Sequence, residues 1–197
     1  MDHGADSYRR FLEGDDGGCV EIIRDYKDGL ILYLNSFVSN LHTAEELAED
    51  TFVKLVIRKP KYSGKSSFKT WLYAIGRNVA IDSMRRRGKT ASVTEEELMR
   101  LGREEKSLEQ SYIQQERKRM LHNALKKLKS EYRQVLWLVY FEGFSHKEAA
   151  AVMHRSVHSI ETLTNRARQA LKTKLIQEGF DDEKLSNHGG GCIPPQG

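Results

Sequence analysis

Residues 61–87 read KYSGKSSFKTWLYAIGRNVAIDSMRRR, and the rest of the chain is interpreted outward from them. The stretch begins as a loop of Ser, Gly and Lys and continues as one helical pattern. Ser67 is the predicted N-cap, because its hydroxyl can accept a hydrogen bond from a backbone N–H of the first turn. Apolar side chains recur at helical spacing and predict a buried stripe of Phe68, Trp71, Leu72, Ile75 and Val79.

The opposite face of this helix is basic. Residues 58–89 hold ten Lys or Arg against one acid, Asp82, whereas the whole chain has a net charge of +4. A solvated helix usually mixes its signs, but a face of one sign beside aromatic rings is typical of a surface for a polyanion whose bases can stack. The structural alternative is a basic surface helix with its Trp in the core.

The bulk composition is compatible with one or two folded domains in 197 residues. A pI near 9.0 favours nucleic acid or another acidic partner. Two cysteines, Cys19 and Cys192, lie far apart and form neither a disulfide framework nor a metal pattern, which indicates reduced thiols in a cytoplasmic protein. No apolar run approaches the ~18 residues of a membrane helix, and the first residues do not resemble a signal peptide.

Motifs for covalent chemistry are missing from the sequence. The seven His are scattered without HExxH spacing, no helix is preceded by a Gly-rich loop of the kind that binds phosphate, and there is no nucleophile elbow. His188 and Cys192 are too few to hold a metal in a tail. We therefore predict no catalytic residues, no metal and no cofactor.

Helical patterns run through most of the chain, and strand signals are weak. A short helix is predicted over residues 5–14, and one or two helices over 20–41, with Gly29 as a weak point. Thr43 and Glu46 fit a capping box that opens the next helix. Its predicted buried stripe is Ala44, Leu47, Ala48, Thr51, Phe52 and Leu55.

The exposed arc of this helix carries four acids, Glu45, Glu46, Glu49 and Asp50. The helix dipole explains acids in the first turn, but its effect fades beyond that turn. A binding surface for a basic partner is an equally good interpretation.

A polar segment, residues 90–116, has seven acids against three bases and is predicted to be a linker. The next two amphipathic helices lie near residues 120–128 and 131–141, with Gly143 as the C-terminal glycine. Ser145 and Glu148 then form a capping box, and Ser156 caps a longer helix that reaches about Gln177. This pair is a helix-turn-helix whose second helix can enter a DNA groove.

Three stretches together resemble the bacterial RNA polymerase sigma factors, specifically the extracytoplasmic-function group of the sigma-70 family. They are TAEELAEDTFVKL (43–55), SSFKTWLYAIGRNVAIDSMRRR (66–87) and the helical segment 124–153 with its continuation to residue 175. The resemblance implies an all-α protein with two small helical domains joined by a flexible linker. Its boundaries would be 5–89 for domain 2, 90–116 for the linker, 117–178 for domain 4 with the helix-turn-helix, and 179–197 for a disordered tail.

The resemblance also assigns residues to three surfaces. Those expected to bind core RNA polymerase are Glu45, Glu46, Glu49, Asp50 and Lys54. Those expected to read and melt the −10 element are Ser63, Lys65, Ser66, Ser67, Arg77, Asn78, Arg85 and Arg86. Those expected to read the −35 element are Ser156, His158, Ser159, Glu161, Thr162, Asn165 and Arg166.

Two departures from the family pattern concern the helix-turn-helix. His154 stands where the family usually has Gly, so the turn must avoid or tolerate a left-handed backbone. Glu161 and Leu163 replace common basic residues, and a carboxylate there can accept from a cytosine amino group. The family's −35 preference is therefore not transferred to this chain.

The resulting prediction is a non-enzymatic, cytoplasmic initiation factor. Its partners would be core RNA polymerase and promoter DNA, with an anti-sigma factor as a further candidate and no membrane insertion. A stand-alone helix-turn-helix regulator is the alternative, but it leaves residues 61–87 and the acidic helix unexplained. A recombinase-like enzyme is a weaker one, because it needs a nucleophile or a carboxylate set that the sequence lacks.

Overall fold

The computed structural model describes residues 2–87 and 120–180. All regular structure in these two ranges is helical. The predicted linker, 90–116, and residues 181–197 of the predicted tail lie outside the described residues. Within the described ranges, no helix is both long and apolar enough to cross a membrane.

Four helices form the first domain: α1 His3–Leu12, α2 Asp16–Val38, α3 Leu41–Arg58 and α4 Phe68–Arg87. α2 is one continuous helix, capped by Asp15, whose side chain accepts from the Gly17 N–H at 2.9 Å. The prediction that Thr43 caps α3 is wrong. α3 begins three residues earlier, because Asn40 accepts from the Thr43 N–H at 2.9 Å and takes the N-cap position.

The core of the first domain is rich in aromatic residues. Tyr8, Tyr33, Phe68 and Tyr73 are at most 1% exposed and pack with the aliphatic side chains of α2 and α3. The stripe predicted for α3 is confirmed, since all six of its residues are buried. In α4 the prediction is confirmed for Phe68, Leu72 and Val79, while Trp71 and Ile75 are half-buried and Tyr73 was missed.

The second domain begins with helix α5 at residues 120–126, followed by α6 Ser130–Leu136, α7 His146–Met153 and α8 Val157–Gln177. α6 runs into a π-helical turn, Trp137–Phe141, which closes when the Glu142 N–H donates to the Trp137 carbonyl at 3.0 Å. The predicted glycine, Gly143, has φ +72° and allows the chain to leave the turn toward α7.

The two domains pack directly against each other. α2 and α4 lie against α6, the π-helical turn and α7. At the centre of this seam, Glu142 accepts from the Tyr73 hydroxyl at 2.7 Å and pairs with the Lys69 ammonium at 3.0 Å. A Cβ on Gly29 would lie 2.6 Å from the Tyr73 hydroxyl oxygen, so the predicted weak point of α2 is a site of close approach.

Candidate nucleic-acid interface

The loop before α4 is held at its base and free at its tip. The Tyr8 hydroxyl donates to the Pro60 carbonyl at 2.7 Å, and the Tyr62 hydroxyl donates to the Ser66 carbonyl at 2.5 Å. Ser63 and Lys65 at the tip are exposed, and Gly64 between them has φ +70° with open space around it. The tip is therefore a short polar projection on an anchored base.

Ser67 is the N-cap of α4, as predicted, because its hydroxyl accepts from the Thr70 N–H at 3.2 Å. The same oxygen lies 2.8 Å from the Thr70 hydroxyl and 3.5 Å from Glu148 of α7. Capping and DNA contact therefore compete for this side chain, whereas Ser63 and Lys65 are exposed at the loop tip and cap no helix.

The rings near the loop belong to the core. Phe68 is fully buried and packs between Tyr8 and Tyr62, with ring centroids 5.6 and 5.8 Å away. Trp71 is half-buried, 5.3 Å from the Tyr8 ring and 5.2 Å from the Tyr62 ring. These rings support the loop from below, and Phe68 has no free face for a base.

The far end of α4 presents the basic face. Asn78, Arg85 and Arg86 are exposed, and Arg77 is half-buried. Asp82, the one acid of this stretch, is also exposed and pairs with Arg85 at 3.1 Å.

α3 presents the acidic face. Glu45, Glu46, Glu49 and Asp50 are all exposed, and Lys54 is half-buried on the same helix. Exposed apolar residues that the sequence analysis missed adjoin them: Val53, Val56 and Ile57. An open cleft of about 760 Å³ lies between this face and the end of α4, with side chains of both signs on its walls.

The helix-turn-helix forms as predicted. Ser145 and Glu148 make the capping box of α7, and Ser156 caps α8 by accepting from the Ser159 N–H at 3.2 Å. His154 ends α7 with φ 52° and ψ 47°, so the turn tolerates a left-handed residue that is not glycine.

The outward side of α8 carries the residues predicted to contact the −35 element. His158, Glu161, Asn165 and Arg166 are exposed, and Ser159 and Thr162 are half-buried. His158 lies 3.9 Å from the Glu161 carboxylate. The first three turns of α8 thus offer donors and acceptors to a groove, whereas Ser156 is engaged in capping.

Comparison with known proteins explains this combination of surfaces. A family model described as Sigma-70 region 2 matches residues 22–90, and one described as Sigma-70, region 4 matches residues 118–171. The ECF RNA polymerase sigma factor SigM of Bacillus subtilis (strain 168) is 30% identical over 83% of this chain and 98% of its own length. This chain belongs to the extracytoplasmic-function (ECF) sigma factors of the sigma-70 family.

Other relatives of this ECF sigma factor agree. The RNA polymerase sigma factor YlaC of the same Bacillus subtilis strain is 30% identical over 84% of this chain and 95% of its own length. The solved structure of the sigma factor RpoE in complex with the anti-sigma factor NepR from Bartonella quintana has a TM-score of 0.64 at 26% identity, covering 79% of this chain and 94% of that one.

As an alternative sigma factor, the protein directs promoter-specific transcription initiation, and a stand-alone helix-turn-helix regulator is not favoured. A stand-alone regulator would not account for the match of residues 22–90 to Sigma-70 region 2. Three features escaped the sequence analysis: the seam acid Glu142, the apolar residues of α3, and Asp2, whose carboxylate accepts from the Phe68 N–H at 2.6 Å. Only the apolar residues left a signal, as extra hydrophobic positions beside the buried stripe.

Proposed function

We propose that this ECF sigma factor works through three surfaces, one for each step of initiation. The exposed face of α3 binds core RNA polymerase through Glu45, Glu46, Glu49, Asp50 and Lys54. The loop tip and the basic face of α4 read the −10 element, and the first turns of α8 read the −35 element. The observation that carries the proposal is that one small domain exposes four carboxylates on α3 and a separate basic surface at the end of α4.

The α3 surface suits a partner that is basic and partly apolar. The four exposed carboxylates orient the partner and speed its association, because charge complementarity mainly steers the encounter of two proteins. Val53, Val56 and Ile57 supply apolar area beside them, which a charged surface alone lacks.

The −10 surface combines a polar tip with a phosphate-binding face. Ser63, Lys65 and Ser66 offer donors and acceptors to an extruded base. Asn78, Arg85 and Arg86 lie along the phosphates of the DNA strand that carries this base. Capture of unstacked bases offsets the few kcal/mol that unstacking costs, so binding itself drives strand opening. No covalent step is needed, and we propose that the chain is not an enzyme.

Reading both elements at once requires the two domains to separate. The −35 and −10 elements lie about 25 base pairs apart, which is about 85 Å of duplex. α7 of the helix-turn-helix packs on α4, and the seam holds them together through Glu142. The described arrangement is therefore a closed form, and we propose that core polymerase stabilises an open one.

The remaining parts follow the family. The matches to residues 22–90 and 118–171 support the predicted domains 5–89 and 117–178. We propose that the protein acts in the cytoplasm, where core RNA polymerase is. The RpoE relative was solved with an anti-sigma factor, which supports such a partner here as well.

The polymerase surface is tested by transcription with purified core enzyme on a library of genomic promoters. The protein should add a set of start sites that core enzyme alone does not use. Glu49→Lys with Asp50→Lys should lower affinity for core by about tenfold or more, because like charge replaces complementary charge. Glu13→Lys with Asp28→Lys changes the net charge equally on other exposed positions and should leave core affinity unchanged. Equal losses in both double variants would contradict the α3 surface.

The −35 surface is tested on the promoters found in that experiment. Glu161→Ala should alter which −35 sequence is preferred, because one base contact discriminates by about 1–3 kcal/mol. Arg168→Ala, an exposed position that is not among the predicted readers, should keep the ranking of −35 variants. An unaltered ranking with Glu161→Ala would show that Glu161 is not a reader.

A further inference from the structure

Asp2 joins two helices that are far apart in sequence. Its carboxylate accepts from the Ala5 N–H at 3.4 Å, as the N-cap of α1, and from the Phe68 N–H at 2.6 Å, the first residue of α4. The Tyr62 hydroxyl lies 3.5 Å from the same carboxylate. One side chain thus ties α1, the loop and α4 together.

The position of this carboxylate decides what α4 can bind at its start. The N-terminus of a helix carries unpaired N–H groups and a partial positive charge, which ordinarily attract phosphate. Here Asp2 and the Ser67 hydroxyl accept from those groups. DNA phosphate is therefore kept away from the beginning of α4, and the loop tip is left as the nearest feature for contact with a base.

Tyr62 is the second residue that holds the loop in place. Its ring packs on Phe68 and Trp71, and its hydroxyl donates its one proton to the Ser66 carbonyl. Burial and the nearby Asp2 charge raise the pKa of Tyr62, which favours the protonated form that donates this bond. This bond closes residues 62–66 into a fixed turn, with Ser63 and Lys65 on its exposed side.

We infer that Asp2 and Tyr62 are positioning residues for recognition of the −10 element. They contact no DNA themselves. They hold the turn that carries Ser63 and Lys65 in one orientation relative to the basic face of α4. The inference rests on the proposed −10 surface and deepens it, because it attributes base discrimination to the orientation of the turn formed by residues 62–66.

The test measures binding of core enzyme plus this protein to single-stranded −10 DNA, with each base varied in turn. Tyr62→Phe and Asp2→Ala should lower the ratio between the best and the worst base at one position by about three- to tenfold. Tyr62→Phe changes no charge and removes no phosphate contact, so the salt dependence of its binding should equal that of the unaltered protein. Asp2→Asn should retain most of the discrimination, because its amide oxygen can still accept from the Phe68 N–H.

Asp6→Ala is the matched control, since Asp6 lies on the same helix and pairs with Arg9 at the surface. It should leave base discrimination unchanged. The inference is overturned if Tyr62→Phe, with its helix content intact by circular dichroism, keeps the base preferences of the unaltered protein or weakens all bases equally. A holoenzyme of the unaltered protein that binds every base equally would instead overturn the proposed −10 surface itself.

Discussion

The two DNA-facing parts of the molecule begin their helices in different ways. α4 has a local cap, Ser67, and in addition a partner 66 residues away, because the Phe68 N–H donates to Asp2. α7 and α8 begin on neighbours three residues away, through the caps of Ser145 and Ser156. The first domain is thus fixed by long-range contacts around its reading loop, whereas the helix-turn-helix is fixed by local chemistry.

The same difference appears in the cores. Three fully buried tyrosines, Tyr8, Tyr33 and Tyr73, lie in the first domain. In the described part of the second domain, Tyr132 is half-buried and Tyr140 is exposed. A reading surface built from long-range contacts should therefore respond to changes that leave a locally capped one intact.

Alkaline pH should lower the stability of the first domain more than that of the second, and this is the largest effect that we expect. Burial raises the pKa of Tyr33 above its ordinary value of 10.0, and burial with the Glu142 charge does the same for Tyr73. Above about pH 10 the unfolded chain loses these protons while the folded chain keeps them, so stability present below pH 10 is lost as pH rises. Each such tyrosine contributes about 1.4 kcal/mol per pH unit. Denaturation followed from pH 8 to 11 should show this loss.

Tyr33→Phe isolates one of these protons. The Tyr33 hydroxyl has no hydrogen-bond partner among the described residues, so its removal should leave stability at pH 7 unchanged or slightly higher. The slope of stability against pH should fall by about one proton. Tyr140→Phe, at an exposed position, should leave the slope as it is. Equal slopes for Tyr33→Phe and the unaltered protein would contradict the role of the buried hydroxyl.

The seam between the domains should give the next largest effect. Glu142→Ala removes the acceptor of the buried Tyr73 hydroxyl and the partner of Lys69, and should destabilise the closed form by about 1–3 kcal/mol. The radius of gyration of the free protein, measured by small-angle X-ray scattering, should rise as the domains separate. Glu131→Ala breaks a surface pair with Arg155 and should change little. An unchanged radius for Glu142→Ala would show that the seam does not depend on this carboxylate.

The same contrast explains what could be predicted from the sequence. The stripe of α3 and the capping box at Ser145 follow from spacings of three and four residues, and both were predicted correctly. Asp2 and Glu142 escaped, because nothing near them in sequence marks a partner 66 or 69 residues away. The wrong N-cap for α3 came from two competent caps, Asn40 and Thr43, three residues apart, between which local propensity does not choose.

The smallest effect should come from the turn of the helix-turn-helix. His154 has φ 52°, a region that costs a residue with a Cβ about 1 kcal/mol and costs glycine nothing. His154→Gly should therefore stabilise the second domain by up to about 1 kcal/mol and leave the first unchanged. Ala151→Gly, at an exposed position inside α7, should destabilise by about the same amount, because there glycine only adds flexibility to the unfolded chain. Hydrogen exchange of α7 and α8 would measure both changes locally. If His154→Gly and Ala151→Gly shift protection in the same direction, the left-handed turn is not a source of strain, and local chemistry alone does not set the stability of this domain.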